Sequence, residues 1–330
     1  MARRKKDDGL ALFSPATRGW FADAFREPTP AQRAAWPPVV DGEHTLLVAP
    51  TGSGKTLAAF LAAIDRLLFN PPRDSQARCR LVYLSPLKAL AFDIERNLRA
   101  PLAGITRTAE RLGIAHRDVE VAMRTGDTPN ALRARFSRRG ADILITTPES
   151  LYLLLTSQAS RQLGSVETVI VDEIHAVAAS KRGTHLLLSL ERLQKLCRDR
   201  QVQRIGLSAT QRPLDAIARW LGGFERAASS ESDTSPLTAR PVTIADARVG
   251  RSLQLSIEVP VDDMAQLSKT ETALAANDRA GDSEAPIAPR SMWSAIYPRL
   301  LQLVRSHRST MVFVNNRRLA ERLAAAGNQL

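Results

Sequence analysis

The chain alternates short apolar runs with longer amphipathic ones over most of its first two thirds. Thr45-Leu46-Leu47-Val48 reads as a buried strand, and Leu57-Ala58-Ala59-Phe60-Leu61-Ala62-Ala63-Ile64 as the helix that follows it. The same pattern predicts strands at Leu46–Ala49, Leu81–Ser85, Val119–Met123, Ile143–Thr146, Val169–Asp172 and Ile205–Ser208. Helices are predicted over Leu57–Leu68, Leu87–Leu112, Pro129–Ser137, Pro148–Thr156, Gly183–Cys197 and Pro213–Trp220. Strand–helix alternation implies an α/β domain, a parallel sheet with helices on both faces, whose ligand lies at the carboxyl ends of the strands.

The character changes after Gly222-Gly223. Residues 227–240 are rich in serine, alanine and threonine and read as a linker, followed by β-like runs at Val242–Ala245 and Leu253–Val259. Residues 261–290 carry six acids against three bases and few large apolar side chains, a composition that predicts a disordered or mobile insertion. A helix over Trp293–Ser306, a strand at Met311–Val314 and a helix from Arg317 to Ala325 complete the pattern. The expected domains are a lead-in over 1–37, a first lobe over 38–225, a linker over 226–240 and an incomplete second lobe over 241–330.

Composition narrows the function. Lys plus Arg number 46 against 34 Asp plus Glu, a net charge of +12, which favours a polyanionic partner. Cys79 and Cys197, the two cysteines, have no metal-ligand spacing and read as reduced thiols. No run approaches the ~20 apolar residues of a membrane helix, and the charged start does not resemble a secretory signal, so a cytoplasmic address and no membrane partner are expected.

The chemistry begins between the first strand and its helix, at Ala49-Pro50-Thr51-Gly52-Ser53-Gly54-Lys55-Thr56. A glycine-containing loop there turns the backbone N–H groups of Thr51, Gly52, Ser53 and Gly54 toward a polyphosphate at the helix's positive end. Lys55 would reach the β- and γ-phosphates, and the Thr56 hydroxyl would sit on Mg²⁺. The first loop position is alanine where the general pattern has glycine. A β-branched strand delivers Asp172-Glu173-Ile174-His175 to its carboxyl end. Asp172 can hold Mg²⁺ and Glu173 can deprotonate the attacking water, while His175 is a candidate link between nucleotide and other motifs. Ser208-Ala209-Thr210 ends the next strand; beside that acidic box, Ser208 and Thr210 become candidates for coupling.

Together these residues resemble superfamily 2 helicases of the DEAD/DEAH-like kind. Pro28-Thr29-Pro30-Ala31-Gln32 is similar to the Q motif, Ser85-Pro86-Leu87-Lys88-Ala89-Leu90 to motif Ia, and Thr147-Pro148-Glu149-Ser150-Leu151 to motif Ib. Arg124-Thr125-Gly126-Asp127 resembles the loop between them, and Met311-Val312-Phe313-Val314-Asn315-Asn316 resembles motif IV. The runs following Ser85 and Asp172 resemble the large helicase-related (Lhr-type) family. The resemblance implies a RecA-like P-loop NTPase domain followed by an incomplete second one, with ATP and Mg²⁺ as cofactors.

By position, it implies that Gln32 reads adenine, with Phe13, Trp20 or Phe21 stacking on the base. It also implies that Ser85, Lys88, Thr125, Gly126, Thr147 and Glu149 line a sequence-independent track for single-stranded DNA or an RNA–DNA hybrid. Arg133, Arg135, Arg138 and Arg139 read better as a solvated helix face than as phosphate ligands. The family implies movement 3′ to 5′ on DNA in repair or hybrid removal. The matched motifs stop at motif IV, before the one bearing the arginine finger, so feeble hydrolysis is expected of these 330 residues alone. The alternative is a non-catalytic module that binds ATP and nucleic acid.

Overall fold

The computed structural model describes residues 9–71, 78–197, 200–209, 212–226, 237–248, 255–258 and 293–329. Its main sheet has seven strands, all parallel: β1 (Thr45–Val48), β2 (Leu81–Leu84), β3 (Val121–Arg124), β4 (Ile143–Thr146), β5 (Thr168–Val171), β6 (Gln203–Ser208) and β9 (Thr243–Asp246). Their order is β3-β4-β2-β5-β6-β1-β9. The remaining strands, β7 (Phe224–Arg226) and β8 (Leu237–Ala239), form a small antiparallel pair.

β1, β2, β4 and β5 are predominantly apolar and buried along their whole length because both faces are covered. Leu47, Tyr83, Ile145, Ile170 and Leu207 face a core closed by α1 (Pro15–Ala24), α2 (Pro30–Val40), α3 (Lys55–Phe69) and α4 (Lys88–Arg111). Their neighbours Leu46, Val48, Leu84, Leu144, Val169 and Val171 face a second core. That face is closed by α5 (Asn130–Arg139), α6 (Pro148–Leu155), α7 (Lys181–Leu196) and α8 (Leu214–Gly222). Burying one such aliphatic side chain contributes about 1.5–3 kcal/mol, so the alternation within each strand glues both layers to one sheet.

The predicted strands and helices of the first lobe all form, with ends displaced by a few residues. Two helices absent from the sequence reading, α1 and α2, precede β1. Each opens on a hydroxyl cap: Ser14 accepts from the Thr17 N–H at 3.3 Å, and Thr29 from the Gln32 N–H at 3.2 Å.

The expected lobe boundary is corrected by β9. The run at Val242–Ala245, read as the start of the second lobe, pairs with β1 from Thr45↔Thr243 to Val48↔Asp246. Residues 237–239 of the expected linker belong to β8. The first compact unit extends accordingly to Gly250, and a second comprises Arg251–Leu330. In that second unit the helices expected near the end form, as α9 (Trp293–Ser306) and α10 (Arg317–Gln329). Leu255–Glu258 and Met311–Val314 are not strands: both runs lack a paired neighbour among the described residues, and Leu255, Ile257, Met311 and Phe313 are exposed. The insertion expected over 261–290 lies outside the described residues.

Candidate nucleotide and nucleic-acid sites

The strand order divides the carboxyl edge of the sheet into two halves. β5, β6 and β1 carry the acidic box, the Ser-Ala turn and the phosphate loop; β3, β4 and β2 carry the residues expected to form the track.

In the first half, the loop after β1 turns through two left-handed glycines, Gly52 at φ 78° and Gly54 at φ 80°. The positive φ favours glycine at position 54, and an added Cβ would stand 3.0 Å from Gln32 Nε2, so it would crowd that side chain. Lys55 opens α3, is 8% exposed, and donates from Nζ to the Ala49 carbonyl at 2.7 Å. Burial pushes its ammonium pKa down, while Glu173 and Asp172 pull it the other way. Both carboxylates of the acidic box therefore act on the same ammonium. β6 alone separates β1, which leads into the phosphate loop, from β5, which leads into the acidic box.

Asp172 follows β5 with its backbone N–H donating to Leu84 O at 2.9 Å. Its carboxylate accepts from the Glu173 N–H at 2.8 Å and from the phenol of Tyr83. Glu173 adopts φ 44°, left-handed for a residue with a side chain, a conformation that costs of order 1–3 kcal/mol and is found at functional sites. Its carboxylate lies 3.2 Å from His175 Nδ1. Ser208 is paired in register with Val48, and its carbonyl accepts from Ala49 N at 3.1 Å. Among the described residues its buried hydroxyl has no hydrogen-bond partner, nor has that of Ser53 in the phosphate loop. Thr210 lies outside the described residues.

The Q-like motif is tied to this loop. Thr29 and Gln32 form a reciprocal capping box in which Thr29 N–H donates to Gln32 Oε1 at 2.9 Å. The Thr29 hydroxyl then donates to the Ser53 carbonyl at 2.7 Å. Beside Gln32 opens a cavity of about 470 Å³ whose lining includes Trp20, Phe25, Gly54, Thr56 and Phe60. Of the three stacking candidates, Trp20 reaches the cavity. Phe13 and Phe21 do not, because both pack edge-on against Trp36 in the core, at 5.1 and 5.4 Å between ring centroids. Phe25, which the sequence reading missed, lines the cavity with its ring 5.7 Å from that of Trp20. Its signal was position: the aromatic nearest the Pro28 segment, just past the helix.

In the second half the polar groups are paired with one another. Ser85 is buried and its hydroxyl donates to Leu87 O at 2.8 Å. Lys88 bridges both oxygens of Asp127 at 2.8 and 2.7 Å, with the two side chains 52% and 67% exposed. Gly126 sits under the Lys88 side chain. Thr125 is buried, and its N–H donates to the Thr128 hydroxyl at 2.8 Å. Thr147 caps α6, accepting from Ser150 N at 3.4 Å. Glu149 is clamped by Arg182, which also donates to the Pro86 carbonyl at 2.7 Å. Hydrogen bonding by that guanidinium holds the Glu149 carboxyl below its ordinary pKa.

Arg133 faces the loop rather than solvent, donating to Thr128 O at 2.7 Å and Gly126 O at 2.6 Å. Arg135 pairs with Glu120. Arg182, also missed in the sequence reading, is placed by Gly183. A Cβ there would stand 2.1 Å from the Val177 carbonyl, so glycine lets α7 start tight against the segment after His175.

A match to the family model for the DEAD/DEAH box helicase covers residues 29–217. The chain belongs to this family. Within it, the chain is 46% identical to the Lhr helicase/uracil glycosylase of Escherichia coli over 97% of its own length and 20% of that protein's. It is 40% identical to the ATP-dependent helicase Lhr-Core protein 2 of Thermococcus barophilus, covering 95% of this chain and 33% of that one. The solved structure of Mycobacterium smegmatis helicase Lhr bound to ssDNA and AMP-PNP is similar at 48% identity and a TM-score of 0.72, covering 98% of this chain and 36% of that one. The chain thus spans about a fifth to a third of these relatives. These relatives bear out the Lhr-type resemblance, and the parallel sheet bears out the expected fold class.

Among the described residues no three His, Cys, Asp or Glu side chains gather into a metal-binding group. No described helix is long and apolar enough to cross a membrane. Cys79 and Cys197 are both buried free thiols.

Proposed function

We propose that this chain is the ATP-binding lobe, with the beginning of a second, of an ATP-dependent helicase or translocase that moves along single-stranded DNA. The convergence of Lys55, Asp172 and Glu173 across one intervening strand carries the reading. The Mycobacterium smegmatis relative with bound ssDNA and AMP-PNP supports both ligand classes.

In this reading the phosphate loop holds the triphosphate, and Lys55 exchanges the Ala49 carbonyl for its β- and γ-oxygens. Thr56 and Asp172 would hold Mg²⁺; hydroxyl and carboxylate oxygens suit a hard ion that takes few protein ligands and completes its shell with phosphate and water. The ion supplies neutralisation of the phosphate charge. Glu173 orients and deprotonates the attacking water, and His175 and Ser208 link that event to the neighbouring strands. Gln32, Trp20 and Phe25 hold adenine. Ser85, Lys88, Thr125, Gly126, Thr147 and Glu149 border the strand's backbone without reading sequence. An RNA–DNA hybrid fits the same track, and a cytoplasmic address accompanies the reading.

The 330 residues by themselves are proposed to turn over ATP slowly, since an arginine finger contributes roughly 10³–10⁵ in rate and the motif matches here end at motif IV. Titrating the chain with AMP-PNP and a fluorescent oligodeoxynucleotide, with and without Mg²⁺, tests the proposal. Mg²⁺-dependent nucleotide binding lost in Lys55→Ala, together with sequence-independent oligonucleotide binding, supports it. Nucleotide binding indifferent to both Mg²⁺ and Lys55 sinks it.

A further inference from the structure

We propose that Tyr83 is a positioning residue for Asp172, fixing the carboxylate in the orientation needed to hold Mg²⁺. The proposal rests on the reading that Asp172 holds that ion.

β2 is aliphatic except at this position, Leu81-Val82-Tyr83-Leu84, and the tyrosine is fully buried. A desolvated phenol without a partner costs several kcal/mol in an apolar interior, so aliphatic packing alone gives no reason for a hydroxyl there. Its O–H donates to Asp172 Oδ2, while Glu173 N–H donates to Oδ1 at 2.8 Å. Each carboxylate oxygen is thereby held by one fixed donor, and the remaining lone pairs are directed by the protein rather than by solvent.

The ring is itself immobilised. It stacks on Phe60 with centroids 5.1 Å apart and planes at 30°, and Phe60 lines the cavity beside Gln32. Two residues further along the chain, Ser85 begins the track. Tyr83 therefore touches the wall of the base cavity and the acidic box from the strand that leads into the track. A shift of the end of β2 would reach the Asp172 carboxylate through the Tyr83 hydroxyl and the Asp172 backbone through the Leu84 carbonyl.

The test compares the unaltered 330-residue chain with Tyr83→Phe and Asp172→Asn, measuring AMP-PNP affinity in EDTA and across a Mg²⁺ titration. Phenylalanine keeps the stacking and removes only the donor. Tyr83→Phe is expected to need about tenfold or more Mg²⁺ to reach the same nucleotide affinity, in line with other residues that orient metal ligands, with affinity in EDTA unchanged. A Mg²⁺ midpoint within about twofold of the parent, while Asp172→Asn shifts it strongly, overturns the role of Tyr83 alone. If Asp172→Asn leaves the midpoint unmoved, the metal reading of Asp172 falls and the proposal falls with it.

Should Tyr83→Phe not fold, the parent chain answers the question, because it has three tyrosines: Tyr83, Tyr152 and Tyr297. With 3-fluorotyrosine incorporated, and Tyr152→Phe and Tyr297→Phe used for assignment, the ¹⁹F resonance of Tyr83 should move when Mg²⁺ joins AMP-PNP. It should not move with AMP-PNP in EDTA. A resonance blind to Mg²⁺ overturns the proposal.

Discussion

The two halves of the sheet's carboxyl edge are built on different principles. Around β1, β5 and β6 the working groups are buried or half-buried and fixed by single hydrogen bonds to backbone or to a buried phenol: Lys55 to Ala49, Asp172 to Glu173 N–H and Tyr83, Thr29 to Ser53. Around β2, β3 and β4 the charged groups are exposed and neutralise each other, Lys88 with Asp127 and Glu149 with Arg182. Exposed pairs of this kind are worth about 0–1 kcal/mol, so a phosphate can displace one at little cost. A reaction centre needs fixed geometry, whereas a track along which a strand slides needs contacts that are readily exchanged. The difference in burial is what the proposed function asks of the two halves.

Four measurements would break or sharpen this contrast. Glu173→Gln should lower ATP turnover by roughly 10²–10⁴ with nucleotide and oligonucleotide affinities kept, as expected for loss of a general base. Unchanged single-turnover hydrolysis would favour the non-catalytic alternative.

The amino ends of β1 and β6, at the opposite edge of the sheet from the phosphate loop, should be sensitive to acid. His44, between β1 and β6, accepts from Arg204 N at Nδ1 at 3.0 Å and is held to a pKa of about 4, first by burial and then by Arg204 and Arg240. The folded value lies below the unfolded one near 6.5, so the unfolded chain takes up the proton first as pH falls. Stability present above about pH 6.5 should decline by up to roughly 3 kcal/mol by pH 4. Chemical denaturation at several pH values, against His44→Gln, reads the difference; parallel pH profiles would refute it.

Gly54→Ala forces a side chain into a left-handed position at about 1–2 kcal/mol and crowds Gln32. AMP-PNP affinity should fall about tenfold while oligonucleotide affinity stays level. An equal loss of both would mean that the halves are not separable.

The smallest effect concerns Asp127→Asn. Freeing Lys88 should tighten single-stranded DNA binding a few-fold and steepen its salt dependence by somewhat less than one counterion, about 0.7 for a single strand. Weaker binding in this variant would show that Asp127 serves the track directly rather than as a stand-in for phosphate.

The alternation of apolar strands and amphipathic helices placed the phosphate loop, the acidic box and the track motifs at strand ends, because each strand must bury both faces and so carries a nearly continuous apolar run. Local chemistry likewise marked Gly52 and Gly54, since left-handed turns tolerate few other residues. Pairing across the sheet had no such local mark. β9 joins β1 through backbone hydrogen bonds formed from a distance of nearly two hundred residues, and its sequence serves a second lobe equally well. The stacking aromatic was ambiguous for a related reason: Phe13, Trp20 and Phe21 are interchangeable in hydrophobicity, and only packing against Trp36 removes Phe13 and Phe21 from the cavity. Sequence alone determined which residues could do phosphate chemistry. Tertiary structure decided which of them share a neighbour, because the partners of Asp172, Lys88 and Glu149 come from other elements brought alongside by folding.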